Sequence, residues 1–82
     1  MRSKEEIQKT IIYYLIDNDM TVSALANQIN ASRTSIYRWM NGKTVIGNKH
    51  YLRLLKLFDG YSPSKWILEM NENEIENYMF SN

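Results

Sequence analysis

Apolar residues recur at helical spacing along most of the chain, and no segment alternates polar and apolar residues as a half-buried strand would. The apolar positions of the first segment fall on one face of a helix: Ile7, Ile11, Tyr14 and Leu15. Ser3 followed three residues later by Glu6 is the capping-box pattern of a helix start. The pattern therefore predicts a first helix from about Lys4 to Asn18.

Two short helices are predicted next, with a tight turn between them. The second helix has Thr21 as its N-cap, and its apolar face consists of Val22, Leu25, Ala26 and Ile29. It is expected to stop near Asn30, because asparagine tolerates the left-handed backbone better than other non-glycine residues. Ser32 then caps a third helix over residues 33–41, which ends at Gly42.

The remaining chain carries two more helical segments and a tail. A fourth helix is predicted over residues 49–58 from the spacing of Tyr51, Leu54, Leu55 and Phe58. Ser62 as N-cap with Pro63 at the first helical position predicts a short fifth helix that contains Trp66 and Ile67. Residues 71–82 start acidic and end apolar, and they are expected to form either a docked last turn or a frayed end. The expected fold is all-α, a compact five-helix domain over residues 1–70 followed by this tail.

The charge of the chain is segregated, although its net value is only +1. Residues 1–19 carry −1, residues 20–58 carry +6, and residues 59–82 carry −4. We call residues 20–58 the cationic block, because they contain no acidic residue and six cations: Arg33, Arg38, Lys43, Lys49, Arg53 and Lys56. Such a block is typical of a surface that binds phosphates, where counterion release supplies affinity.

Composition excludes several classes of protein. A chain of 82 residues has no room for a second core, and without cysteine it has neither disulfides nor a thiolate metal site. His50 is the only histidine, and Glu72, Glu74 and Glu76 alternate and do not converge on one face of a short helix. We therefore expect no enzymatic activity, metal or cofactor. The longest uncharged stretch, residues 20–32, is broken by polar residues, which predicts a soluble cytoplasmic protein.

The second and third predicted helices have the spacing of a helix-turn-helix. Two helices that cross steeply need a small residue where they touch, and Ala26 meets that need. The turn needs a residue that accepts positive φ, and Asn30 is suited to it. Ile36 and Trp39 supply the apolar face that the third helix turns toward the second.

In this region the chain resembles the phage Cro and repressor type of DNA-binding domain, also called XRE-type or lambda-repressor-like. The resemblance covers roughly residues 3–69, and the matching residues are Leu25-Ala26, Ala31-Ser32, Ile36, Trp39 and Asn41-Gly42-Lys43-Thr44. Two positions depart from the family pattern. Asn30 replaces the usual turn glycine, and Val22 stands where the family often has a glutamine that contacts phosphate.

The resemblance implies that the third helix enters the DNA major groove as a recognition helix. Helical geometry independently turns its outward residues away from the core, and the expected base contacts are Arg33, Thr34, Tyr37 and Arg38. Donors at helix ends and in the following loop are expected to bind phosphates: Thr21, Ser32, Ser35, Asn41, Lys43 and Thr44.

Several of these side chains have structural alternatives. Arg38 is also placed to form a salt bridge with an acid of the first helix, and Tyr37 to shield the core. Trp39 is expected in the core and His50 at the surface or the core edge. Three cations of the fourth helix form either a solvated face or a phosphate-lining face: Lys49, Arg53 and Lys56.

The function expected from this pattern is a transcriptional regulator, a repressor or an activator of phage, prophage or mobile-element type, that binds double-stranded operator DNA at the nucleoid. One module makes few base contacts, so a homodimer on two half-sites is expected. The candidate dimer surface consists of Trp66, Ile67, Tyr78, Met79 and Phe80, with completion of the monomer core as the alternative for the first two. Other functions compatible with the sequence are an antitoxin that binds its own operator together with a toxin, and a protein-interaction module or antirepressor.

Overall fold

A computed structural model describes the backbone of residues 1–80 and the side chains of residues 1–78. Within residues 1–80 the chain is entirely helical and has no strand, which confirms the all-α prediction. The described part contains six helices where the sequence pattern predicts five: α1 (Lys4–Asp17), α2 (Val22–Ile29), α3 (Arg33–Met40), α4 (Asn48–Leu57), α5 (Lys65–Leu68) and α6 (Glu72–Phe80).

The first three helices start where their capping residues predict. The side-chain oxygens of Ser3, Thr21 and Ser32 accept hydrogen bonds from the backbone N–H groups three residues later, at 3.1, 3.0 and 3.0 Å. Each bond satisfies one of the donors that a helix start leaves free. The predicted starts of α1, α2 and α3 are therefore confirmed, and each is encoded within a few residues of sequence.

The ends of α2 and α3 also follow local rules. Asn30 adopts the left-handed conformation, with φ 55° and ψ 50°, and the N–H of Ala31 donates to the carbonyl of Ala26 at 2.9 Å. Gly42 has φ +70° and ends α3, where the N–H of Lys43 donates to the carbonyl of Arg38 at 2.9 Å. Both ends have the hydrogen-bond pattern of a Schellman motif, so α3 is delimited on both sides by its own neighbours in sequence.

The start of α5 differs from the prediction. Ser64 is the N-cap, not Ser62, and Pro63 therefore precedes the helix instead of occupying its first position. The cause is a contact with the end of α1: the hydroxyl and the N–H of Ser64 donate to the carboxylate of Asp17 at 2.6 and 3.0 Å. The hydroxyl of Tyr61 donates to the same carboxylate at 2.6 Å. These tertiary bonds fix where α5 begins.

The predicted tail is a helix over most of its length. Asn71 begins it, because its side-chain oxygen accepts from the N–H of Glu74 at 2.9 Å, and the Glu74 carboxylate accepts from the N–H of Asn71 at 3.3 Å. This reciprocal pair is a capping box. The helix α6 contacts α1, and Ile75 is half-buried. Neither a single docked turn nor a frayed end describes residues 72–80.

The core lies around α1, which contacts α3, α4, α5 and α6. Its buried apolar residues come from α1 to α5, from the loop before α4 and from the C-cap of α4: Ile7, Ile11, Leu15, Ile16, Val22, Leu25, Ala26, Ile29, Ile36, Trp39, Ile46, Leu54, Phe58 and Ile67. Trp39 is 5% exposed, as its inward position predicts. Arg2, just before α1, links elements too, because its carbonyl accepts from the Tyr51 hydroxyl of α4 and its guanidinium donates to the Tyr61 carbonyl.

Candidate nucleic-acid interface

The helices α2 and α3 pack directly against each other through apolar residues. Ala26 is 4% exposed, and its small side chain allows α2 and α3 to approach each other closely. Ile36 is completely buried in the same cluster. The inward face of α3 is thus committed to the core, and its opposite face is left for solvent.

The outward face of α3 carries the residues expected to contact bases. Arg33, Thr34 and Arg38 are exposed, whereas Tyr37 is half-buried and packs at the edge of the core. Tyr37 therefore shields the core, as one of its two predicted roles requires, and part of its side chain stays accessible. Arg38 forms no salt bridge with any acidic side chain in the described part of the chain, so the alternative of a pair with α1 is not realised.

The predicted phosphate contacts lie at the two ends of α3 and at the start of α2. Five of them are exposed: Thr21, Ser32, Asn41, Lys43 and Thr44. Ser35 is half-buried, and its hydroxyl lies 2.9 Å from that of Ser32. Two hydroxyls have two protons, and the bond between them uses one. A proton therefore remains at this pair for a donor contact with an oxygen ligand.

Gln8 on α1 positions the loop between α3 and α4, a role that sequence analysis does not assign. Its side-chain amide donates to the carbonyls of Trp39 and Thr44, both at 3.1 Å. Its oxygen accepts from the N–H of Ile46 at 3.2 Å. These bonds hold the segment that carries Asn41, Lys43 and Thr44. No local pattern marks Gln8, because all three partners lie more than 30 residues away in sequence.

The three cations of α4 do not share one environment. Lys49 and Lys56 are exposed, but Arg53 is half-buried and donates to the carbonyl of Ile29 at 2.7 Å. His50, at the core edge as predicted, has its Nε2 atom 3.3 Å from the carbonyl of Asn30. The sequence signal for these contacts is slight: α2 has no basic residue in its last turn, so no cation of its own lies beside its last carbonyls.

The acidic group nearest to the core has its charge engaged by internal partners. Hydrogen bonds from the side chains of Ser64 and Tyr61 lower the pKa of Asp17 below its ordinary value. Burial raises the pKa of the Tyr61 hydroxyl, and the hydrogen bond to Asp17 raises it further. Asp17 is therefore a carboxylate that fastens α5 to α1.

The candidate dimer residues fall into three groups. Trp66 is 51% and Tyr78 is 40% exposed, whereas Ile67 is completely buried and completes the monomer core. The side chains of Met79 and Phe80 lie outside the described residues. Sequence analysis did not single out four further exposed apolar side chains among the described residues: Met1, Val45 in the loop before α4, Leu52 on α4 and Leu68 on α5.

Among the described residues no three histidine or acidic side chains lie together as a metal ion would require, and no helix is long and apolar enough to cross a bilayer. Comparisons of this chain with protein-family models, with curated proteins and with solved structures yield no match.

Proposed function

We propose that this chain is a lambda-repressor-like helix-turn-helix protein that binds double-stranded DNA in a sequence-specific way and regulates transcription. One observation carries the proposal. A short helix, α3, is buried on one face and bounded by two turns, and its exposed face carries Arg33, Thr34 and Arg38 within a block of 39 residues that has six cations and no acid. Such a helix is suited to the DNA major groove.

The dimensions of α3 match its proposed role. An α-helix with its side chains is about 10–12 Å across, which fits the major-groove width of about 12 Å, and the eight residues of α3 form about two turns inside it. Arg33 and Arg38 are the candidates for bidentate hydrogen bonds to guanine, each worth about 1–3 kcal/mol of discrimination. Thr34 offers a hydroxyl and a methyl group, and Tyr37 offers the accessible part of its ring. Lys43, Thr44 and Asn41, held by Gln8, are proposed to bind the phosphates beside the groove.

Dimerisation on DNA is part of the proposal. The described chain measures 30 × 25 × 21 Å, and half-sites on one face of the duplex are about 34 Å apart. Two copies therefore fit side by side on successive turns. Trp66 is the exposed aromatic side chain proposed to lie between them, together with Tyr78.

The test is a DNA-binding titration with duplexes selected from a randomised library by the wild-type protein. Arg33→Ala combined with Arg38→Ala should lower affinity for the selected duplex by about 100-fold or more, because two bidentate contacts are lost. The matched control is Lys65→Ala, an exposed cation on α5 outside the cationic block, which should leave affinity within about twofold. Equal loss in both variants, or no selection of any duplex, would overturn the proposal.

The exposed apolar residues of α5 favour a second candidate. Trp66 and Leu68 are 51% and 60% exposed, which suits a protein partner as well as a second copy. An antitoxin that binds DNA through α3 and a toxin through α5 has this arrangement. Co-expression with the product of the adjacent gene tests it: a stable complex that Trp66→Ala disrupts, with DNA binding unchanged, would favour the antitoxin over the simple repressor.

A further inference from the structure

The carboxyl end of α2 is satisfied by residues of another helix. The last carbonyls of a helix lack partners within it, and α2 has no basic residue in its last turn. Backbone N–H groups of the turn take the carbonyls of Ala26 and Asn27. The carbonyls of Ile29 and Asn30 face partners from α4: the Arg53 guanidinium donates to Ile29 at 2.7 Å, and His50 Nε2 lies 3.3 Å from the oxygen of Asn30.

The bond from Arg53 is electrostatically favoured. The end of a helix carries a partial negative charge, which a guanidinium stabilises. A charged donor at 2.7 Å has the length of a strong, charge-assisted hydrogen bond. Since the cationic block contains no acidic residue, no carboxylate of residues 20–58 competes for Arg53.

His50 extends the same contact to α3. Its ring centroid lies 5.3 Å from that of Trp39, which is buried on the inward face of α3. One side chain of α4 therefore contacts both the turn after α2 and the helix that follows the turn. The helix α4 is itself anchored, because the hydroxyl of Tyr51 donates to the carbonyl of Arg2 at the start of the chain.

We propose that Arg53 and His50 are positioning residues that fix the direction of α3 relative to α2, and that Arg53 does not bind DNA phosphate although it belongs to the cationic block. This inference rests on the proposed function of α3. The helix begins three residues after Asn30, so a shift of the turn is transmitted to it directly. A tilt of about 10° over its length of about 12 Å moves its far end by roughly 2 Å, enough to misplace a bidentate contact.

The test compares Arg53→Gln with Lys56→Gln, which removes the same charge from an exposed position of the same helix. Affinities are measured for the selected duplex and for poly(dI-dC) over a range of salt concentrations. Arg53→Gln should lower affinity for the selected duplex about tenfold more than for poly(dI-dC), while the slope of affinity against salt stays that of wild type. Lys56→Gln should leave the ratio of the two affinities unchanged. Arg53→Lys should retain part of the preference for the selected duplex that Arg53→Gln loses.

Amide hydrogen exchange of the free protein provides a measurement that does not depend on DNA. Arg53→Gln should speed exchange at Ala31, Ser35 and Ile36 about tenfold, and exchange of the central α1 amides should stay unchanged. His50→Phe, which keeps an aromatic ring beside Trp39 but loses the bond to Asn30, should produce a smaller change at the same amides.

Two results would overturn the inference. If Arg53→Gln made the slope of log affinity against log salt concentration less steep by about 0.9, Arg53 would be a phosphate contact. Unchanged exchange in the turn together with an unchanged affinity ratio would leave Arg53 without a positioning role. If the wild-type protein selects no duplex, the proposed function fails, and the exchange measurement alone decides: faster exchange confined to residues 31–36 supports positioning, and unchanged exchange overturns it.

Discussion

The segment formed by α2 and α3 differs from α5 in how its helices are delimited. Thr21, Asn30 and Ser32 delimit α2 and α3 through bonds to residues at most five positions away. The start of α5 depends instead on Asp17, which lies 47 residues from Ser64. The bounds of α2 and α3, which are proposed to bind DNA, are thus specified locally, whereas the start of α5 depends on a contact with α1. Because bonds to neighbouring residues fix its two ends, α3 keeps its bounds whichever residues stand on its exposed face.

The largest effect is expected from the core that both regions share. Ile36→Ala should lower the free energy of unfolding by about 2–5 kcal/mol, because Ile36 is completely buried between α3 and its neighbours. Urea denaturation measures the loss. Leu52→Ala, at a position 59% exposed, is the control and should cost under about 1 kcal/mol. Equal losses in the two variants would mean that α3 is not packed as described.

A smaller effect is expected from breaking the long-range contact of α5. Asp17→Asn should lower stability at neutral pH, because an amide replaces a carboxylate that accepts three hydrogen bonds. The pKa of Asp17 is lowered by Ser64 and Tyr61, so the folded protein binds this proton less readily than the unfolded chain. The Asp17 carboxylate therefore contributes fully to folding stability above its ordinary pKa of 3.8. This contribution is lost as the pH falls through the lower pKa of the folded state.

Thermal unfolding at a series of pH values tests this sign. The stability difference between wild type and Asp17→Asn should narrow below about pH 4. Asp19→Asn is the control, since Asp19 is exposed and has φ 49°, a conformation that asparagine adopts readily. A difference between wild type and Asp17→Asn that stays constant down to about pH 3 would contradict the role of the Asp17 carboxylate.

The smallest effect is expected at the local turn. Asn30→Ala should cost about 1 kcal/mol, because alanine is strained at φ 55°. Asn30→Gly should be as stable as wild type or slightly more so, since glycine adopts this conformation freely. Chemical denaturation of the two variants makes the comparison. If alanine and glycine proved equivalent, positive φ at Asn30 would not be what ends α2.

Sequence patterns predicted the helices well where helix ends are capped by neighbouring residues. The starts of α1, α2 and α3 follow from Ser3, Thr21 and Ser32, each with a bond partner three residues later. The capping box of α6 is equally local, because Asn71 and Glu74 are three residues apart, but the prediction of a tail after residue 70 omits it. The pattern Asn-x-x-Glu would have revealed it.

The side chains that position the candidate site were beyond sequence patterns. The exposed residues Arg33, Thr34 and Arg38 follow from helical periodicity, because the outward face of α3 is fixed once Ile36 and Trp39 face inward. Gln8 and Arg53 do not follow, since the partners of their hydrogen bonds lie 24 to 38 residues away. A charged residue on a helix face looks the same in sequence whether it points to solvent or bonds a distant carbonyl.

The two tryptophans of the chain stand in different surroundings, and this gives each region its own optical reporter. Trp39 lies on the inward face of α3 beside His50 and is 5% exposed, so a soluble quencher reaches it poorly. Trp66 is 51% exposed on α5 and is open to such a quencher. In the wild-type protein, a partner bound by α5 would therefore change the quenchable fraction of the emission, which comes from Trp66. A duplex bound by α3 would change the protected fraction, which comes from Trp39.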